Sequence, residues 1–191
     1  MRKPYILTHS GQMVGADMGV PTVEDIALAL SRQPRFAGHT RVPYTVLDHS
    51  LFACAMAAAE YPQDFKLQLA VLLHDAHEAL TADNPTPFKD KHIREIQEGL
   101  DFRISGAVTR DKSEYLFFLN SSAIKAYDTR ALLAEAYVIG PPALVTIADV
   151  ALHFGATPEP EDVTRLQKFM RTENDMAVKR RVFAALVEVL R

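Results

Sequence analysis

A chain of 191 residues is long enough for one domain with a substantial core, and 48% hydrophobic with 24% charged residues is an ordinary globular composition. The net charge of −3 argues against extended binding to a nucleic-acid polymer, and no apolar run reaches the ~20 residues of a membrane span. The N-terminus lacks the apolar core of a secretory signal, and the single Cys54 cannot form an internal disulfide. We therefore expect a protein of a reducing, cytoplasmic compartment that does not associate with membranes.

The N-terminal third predicts a small β element followed by helices. Residues 5–20 contain three glycines and predict short extended segments joined by turns, as in a small hairpin. Thr22 and Asp25 predict a capping box for the helix VEDIALALSR, which must end before Pro34. An irregular segment, PRFAGHTRVPY, follows and carries several basic side chains.

The rest of the chain predicts an all-α bundle within a single domain, residues 1–191. The segment ADNPTPFK predicts a loop, because two prolines two residues apart cannot continue a helix. Gly140-Pro141-Pro142 predicts another break. Helices are predicted over roughly 45–60, 63–81, 89–105, 113–119, 121–138, 143–154 and 160–171, and over a last segment that ends at Arg191 and is capped by Asn174 or Thr172.

The adjacent pair His74-Asp75 is the most informative feature of the sequence. It follows the apolar run LQLAVLL, so burial is expected, and a buried carboxylate costs free energy unless something pairs with it. A divalent cation can accept both an imidazole nitrogen and a carboxylate oxygen. Glu78 lies on the same helical face as the pair. The alternative is an exposed polar face with a histidine by chance, but the apolar run favours the buried setting.

His49 and Asp128 lie on two other predicted helices. Taken singly, each has an ordinary interpretation: His49 as a neighbour of a helix cap, and Asp128 as a solvated charge. Joined to His74 and Asp75, they give two imidazoles and two carboxylates. That set leaves coordination positions open for water, which suits hydrolysis better than a closed structural site.

The order His, His-Asp, Asp on successive helices resembles the HD-domain superfamily of metal-dependent phosphohydrolases. The segment HDAHEALTADNPTPFK is similar to that of the HD-type 5′-deoxynucleotidases. The segment SRQPRFAGHTRVPYTVLDHS resembles the region before the first ligand histidine in small HD hydrolases of bacteria and phages, among them the phage dATP triphosphohydrolases. The resemblance spans about residues 5 to 136 and implies an HD-domain helical bundle.

The resemblance implies a metal centre with His49, His74, Asp75 and Asp128 as ligands. Glu78, together with Asp75, would be catalytic, because Glu78 would orient or deprotonate the attacking water. The mixed nitrogen and oxygen donors suit Co²⁺, Mn²⁺, Zn²⁺ or Fe²⁺ better than Mg²⁺ alone. A Mg²⁺ ion would accompany the phosphates of a triphosphate substrate.

The same resemblance implies substrate contacts. Two lysines would contact phosphate: Lys89, at the end of PTPFK, and Lys125, one helical turn before Asp128. Arg35 and Phe36 would contact the sugar and the base. Asp83 would either hydrogen-bond the sugar or hold the loop. We assign these five residues to the substrate site.

Several neighbouring positions depart from the family pattern or have open roles. Phe36 stands where relatives commonly have Trp, and its spacing to His49 is one residue shorter, so the base preference is not fixed by the resemblance. Ala82 stands where relatives have Gly. His77 is not a ligand position and is expected to be either structural or exposed, and His39 structural. Arg41 is a candidate phosphate contact.

The sequence therefore predicts a deoxynucleotide phosphohydrolase, with dATP triphosphohydrolase as the favoured activity. Such an enzyme converts dATP to deoxyadenosine and triphosphate and depletes the nucleotide pool of dATP. The alternatives are a 5′-deoxynucleotidase acting on monophosphates and, less favoured, a non-catalytic nucleotide-sensing module. The resemblance further implies a homo-oligomer, a dimer or higher, in the cytoplasm, or in the host cytoplasm if the protein is encoded by a phage.

Overall fold

The computed structural model describes residues 5–83, 90–109, 121–172 and 174–191. As predicted, this part of the chain is mostly α-helical with a two-stranded antiparallel sheet near the N-terminus. The elements are β1 (Ile6–Leu7), β2 (Met13–Val14), α1 (Val23–Leu30), a 3₁₀ turn (Arg35–Gly38), α2 (Val46–Glu60), α3 (Phe65–Leu73), α4 (Glu78–Thr81), α5 (Lys91–Val108), α6 (Ser122–Val138), α7 (Ile147–Phe154), α8 (Pro160–Thr172) and α9 (Met176–Leu190).

Side-chain caps fix most helix starts. The predicted capping box of Thr22 and Asp25 is present at α1, and the same box recurs at α2 and α7 with a threonine and an aspartate. Ser121 caps α6. The last helix is capped by Asp175 rather than by the predicted Asn174 or Thr172, because the Asp175 carboxylate accepts from the backbone N–H of Ala177.

The prediction of one helix over 63–81 is wrong. Helix α3 ends at Leu73, residues 74–77 form tight turns, and α4 begins at Glu78. The backbone N–H of Ala76 donates to Leu73 O, and that of Glu78 to Asp75 O, so each hydrogen bond spans three residues instead of four. His74 and Asp75 therefore lie at the end of a helix and not within it.

Two other boundaries differ from the prediction. The helix expected at 89–105 begins at Lys91, after its cap Asp90, and continues to Val108. The helix expected at 143–154 begins only at Ile147, because Thr146 is its cap. The helix predicted at 113–119 lies outside the described residues.

Helix α2 forms the centre of the bundle. It packs against α3, α6 and α9, while α9 also covers α1 and α3, and α6 contacts α8. Its side chains, among them Val46, Leu47 and Phe52, are buried in the main core. The three elements that carry the predicted metal ligands, α2, α6 and the end of α3, therefore meet inside the molecule.

Hydrogen bonds attach the segment directly after the N-terminal sheet to the bundle. The Arg103 guanidinium on α5 donates to the carbonyls of Gly15, Ala16 and Gly19 at 2.9 to 3.0 Å. Gly19 has a φ of +72°, and a Cβ there would lie 2.1 Å from Met13 O, so only glycine fits. None of the described helices is long and apolar enough to cross a membrane.

Candidate metal centre

The structure brings the donor atoms of the four predicted ligands together. His49 Nε2 lies 3.2 Å from His74 Nε2, 3.2 Å from Asp128 Oδ1 and 3.7 Å from Asp75 Oδ2. His74 Nε2 lies 3.2 Å from Asp75 Oδ2 and 3.8 Å from Asp128 Oδ1. Two rings and two carboxylates from three elements thus point at one small volume.

Hydrogen bonds at the outer nitrogens orient both rings. His49 Nδ1 lies 2.7 Å from Glu135 Oε1, and His74 Nδ1 lies 2.8 Å from the carbonyl oxygen of Val71. Both partners are acceptors, so each ring donates from Nδ1 and, when neutral, presents a lone pair at Nε2. This is the tautomer that a histidine ligand needs.

The charges at the centre favour a cation between the rings. Burial alone would lower the pKa of His74, but the carboxylates of Asp75 and Asp128 raise it well above its usual value. Burial would raise the pKa values of both carboxyls, yet the imidazoles lower them. Either protons or a metal ion can supply the positive charge, and the donors of His49, His74 and Asp128 lie close enough together to hold one ion.

Glu135 is a part of the centre that the sequence analysis missed. Its fully buried carboxylate contacts His49 Nδ1 at 2.7 Å and accepts a hydrogen bond from Tyr44 OH at 3.0 Å. Arg35 Nη2 approaches its other oxygen at 3.4 Å. Two signals mark it in the sequence: an acidic residue between apolar neighbours, and a position two helical turns after Asp128 on the same face.

Arg35 points inward, toward this carboxylate. Burial alone would lower its pKa, but Glu135 raises it, with smaller contributions from Asp75, Asp128 and Asp83. Its Nε is buried without a hydrogen-bond partner. The positive charge of Arg35 is therefore balanced mainly by Glu135. The expected contact of Arg35 with a substrate sugar stays a prediction.

Phe36 lies on the wall of an open cavity of about 660 Å³, whose other walls are formed by residues 37–40 and Pro141-Pro142. Phe36 and Ala37 have φ values of 52° and 51°, in the left-handed region that costs non-glycine residues free energy. The strained turn holds Phe36 directly after Arg35, whose guanidinium carbon lies 5.9 Å from the ring centre. Residue His39 also lines this cavity.

Glu78 is buried beside Asp75, with only 2% of its surface exposed. An oxygen of Glu78, an oxygen of Asp75 and a ring nitrogen of His77 all lie within 4.8 Å of one another. Of the two settings expected for His77, structural or exposed, the structure excludes the exposed one. Its ring is buried, and Nδ1 lies 2.9 Å from Asp101 Oδ1 on α5.

The other predicted contacts are spread around the centre. Lys125 is exposed on α6, one turn before Asp128, and Asp83 is half-buried. Lys89 lies outside the described residues. The Arg41 guanidinium donates to the carbonyls of Val138 and Leu144, so Arg41 holds its loop to the end of α6 instead of standing free for phosphate.

Comparison with known proteins adds little to this geometry. No protein-family model matches the chain. A stretch of 92 residues is 35% identical to the uncharacterized protein YfdR of Escherichia coli (strain K12), and it covers 47% of this chain and 46% of that protein. The similar region therefore spans less than half of the length of YfdR and does not by itself assign a family.

Proposed function

We propose that this protein is a metal-dependent deoxynucleotide phosphohydrolase of the HD type. The observation that carries the proposal is the convergence of four residues spread over 80 positions, His49, His74, Asp75 and Asp128. The two ring nitrogens lie 3.2 Å apart, and each lies 3.2 to 3.8 Å from an oxygen of each aspartate. The open side of the centre supports a hydrolytic role, since 42% of the Asp128 side chain is exposed.

The ligand set fits a divalent transition ion such as Co²⁺, Mn²⁺ or Zn²⁺. Bound there, such an ion supplies positive charge that acidifies water and offsets charge on phosphoryl oxygens. Asp75 and Asp128 provide two negative charges for the ion, and Glu135 keeps the His49 ring in its ligating orientation.

The position of Glu78 beside Asp75 supports a catalytic role for Glu78. Glu78 accepts a proton from a water molecule as that water attacks the phosphorus nearest the sugar. The bond between this phosphorus and the 5′-oxygen breaks, and the 5′-oxygen takes up the proton that Glu78 accepted. Lys125 and Lys89 are proposed to offset the charge on the phosphates, with Asp83 at the sugar or its loop.

We favour dATP as the substrate, with deoxyadenosine and triphosphate as products. The support is the segment RFAGHTR, which resembles that of the phage dATP triphosphohydrolases, and the cavity beside Phe36, which has room for a base. A 5′-deoxynucleotidase would use the same ligands and Glu78, so the metal centre does not separate the two activities. A homo-oligomer acting in the cytoplasm remains part of this proposal.

A product assay tests the proposal directly. Metal-stripped protein, resupplied with Co²⁺ or Mn²⁺ plus Mg²⁺, is given each dNTP and each dNMP, and the products are separated by chromatography. We expect deoxyadenosine and intact triphosphate from dATP. Orthophosphate released from several dNMPs, with dNTPs untouched, would replace this activity by the nucleotidase. The absence of turnover with every metal would leave a nucleotide-sensing module.

The variant Glu78→Gln is the matched control for the assay. It removes the proton acceptor but retains the size of the side chain, so we expect cation binding at the four-ligand centre without turnover. A Glu78→Gln protein that hydrolyses dATP at the wild-type rate would rule out the proposed role of Glu78.

A further inference from the structure

A second cluster of ligating side chains lies next to the first. Asp75, His77 and Glu78 come from the turns after α3 and the first residue of α4, and each offers one donor atom within 4.8 Å of the others. Asp75 belongs to both clusters, because its Oδ2 also lies 3.2 Å from His74 Nε2. The resemblance to HD hydrolases assigns His77 no ligand role.

The orientation of His77 matches that of a ligating histidine. Its Nδ1 lies 2.9 Å from the Asp101 carboxylate, which accepts the Nδ1 proton and, in the neutral ring, leaves a lone pair at Nε2. Only 8% of the surface of His77 is exposed, and Nε2 has no hydrogen-bond partner. His49 has the same arrangement, with Glu135 at Nδ1 and Nε2 directed at the first cluster.

A buried nitrogen without a partner costs free energy, and the carboxylates of Asp75 and Glu78 concentrate negative charge near the same ring. A cation compensates both at once, since it accepts the nitrogen lone pair and neutralises the carboxylates. A carboxylate has two oxygens and can therefore bind two cations, so Asp75 can ligate one cation in each cluster.

We propose that Asp75, His77 and Glu78 bind a second divalent cation beside the first. One nitrogen and two carboxylates suit an ion of the Mn²⁺ or Co²⁺ class. The inference builds on the proposed function, because it makes the phosphohydrolase centre a two-cation site. In such sites two ions stabilise the attacking and the leaving oxygens together.

Counting bound ions on the whole chain tests the inference without reference to activity. Metal-stripped protein is titrated with Mn²⁺, free Mn²⁺ is followed by electron paramagnetic resonance at room temperature, and the bound ions are examined in frozen solution. We expect two Mn²⁺ per chain and the altered spectrum of a spin-coupled pair, because Asp75 bridges the ions. Saturation at one Mn²⁺ per chain overturns the proposal.

Variants locate the second ion. His77→Gln should bind one Mn²⁺ with an uncoupled spectrum, and Glu78→Gln, which changes the shape of the site least, should do the same if His77→Gln fails to fold. His92→Gln, an exposed histidine on α5, is the matched control and should retain two. Two coupled ions in both His77→Gln and Glu78→Gln would overturn the assignment to these residues.

The failure of this inference is distinguishable from failure of the proposed function. Two coupled Mn²⁺ ions that depend on His77, with no turnover of any nucleotide, support the second site and overturn the phosphohydrolase. Turnover by a protein that saturates at one Mn²⁺ supports the phosphohydrolase and overturns the second site.

Discussion

Two groups of carboxylates in this protein have different kinds of partner. In the first, Glu60 and Asp162 are paired with the guanidinium groups of Arg130 and Arg165, at distances from 2.6 to 3.3 Å. In the second, the metal centre, Asp75 and Asp128 face the rings of His49 and His74. Among the described residues, neither of these two aspartates forms a salt bridge with Lys or Arg.

The difference lies in where the compensating charge comes from. Arginine carries a permanent positive charge, so the cluster of Glu60, Asp162, Arg130 and Arg165 is complete within the chain. The rings of His49 and His74 are fixed by acceptors at Nδ1, so in their neutral form they offer lone pairs rather than charge. The first group stabilises the fold, whereas the second requires a cation or protons from solution.

The largest effect is expected from Asp75→Ala. Because Asp75 supplies charge to the predicted four-ligand centre, we expect loss of detectable Mn²⁺ binding and loss of turnover. Far-ultraviolet circular dichroism should be unchanged. The control Glu98→Ala, an exposed carboxylate on α5, should bind Mn²⁺ as the wild type does. An Asp75→Ala protein with wild-type affinity would place the cation elsewhere.

Glu135→Gln should weaken cation binding at the metal centre, although it removes none of the four predicted ligands. The amide retains the size of the carboxylate but loses its charge, so it holds the His49 ring less firmly and makes Nε2 a poorer donor. We expect Mn²⁺ affinity to fall about 10- to 100-fold, which isothermal titration calorimetry measures.

Tyr44→Phe is the comparison for this variant. It removes one hydrogen bond to Glu135 but leaves the carboxylate, so its affinity should fall by less. An unchanged affinity in Glu135→Gln would show that the orientation of His49 does not depend on the carboxylate.

The part of the centre that follows from local pattern could be predicted, and the part that depends on packing could not. An apolar run before His74-Asp75 signals burial in any fold, and the order of the ligand helices follows from the sequence. That Arg35 turns toward Glu135 depends on how the strained turn at Phe36 meets α6. The end of α3 at Leu73 was likewise missed, because helix propensity carries no signal of the turns that place His74 and Asp75.

The arginine cluster gives the contrasting prediction on stability. Arg130→Met removes two hydrogen bonds of 2.8 Å from the Asp162 carboxylate, which is fully buried. Among the described residues, Arg165 at 3.3 Å then remains as its guanidinium partner. We expect the free energy of unfolding to fall by about 2 kcal/mol in urea denaturation. Arg171→Met, an exposed arginine on α8, should change it by less than about 0.5 kcal/mol.

Mn²⁺ affinity is the second measurement on Arg130→Met. The variant should bind the ion as the wild type does, because Arg130 contacts none of the four predicted ligands within the described residues. A stability loss accompanied by weaker binding would mean that the two groups of carboxylates are coupled through α6, which carries both Arg130 and Asp128.

The smallest effect is the acid response of Glu60. The hydrogen bonds from Arg130, with help from Tyr127 and Arg165, lower its pKa from 4.5 to about 2 against the opposing effect of burial. A carboxyl with a lowered folded-state pKa stabilises the fold above its unfolded value, and that stability is lost as the pH falls from about 4.5 toward 2. Because 28% of the side chain is exposed, we expect this contribution to the free energy of unfolding to be roughly 1 kcal/mol.

Urea denaturation at pH 6 and pH 3 measures the stability that Glu60 contributes in its charged form. Glu60→Gln should lose less stability than the wild type between the two values, since its side chain does not titrate. It should retain the contribution of Asp25, whose pKa burial would raise but whose hydrogen bonds, chiefly from Ser10, lower it to about 2. An equal loss in wild type and variant would show that the guanidinium partners do not hold Glu60 in its charged form. The cluster would then not be the closed, self-compensating group that separates it from the metal centre.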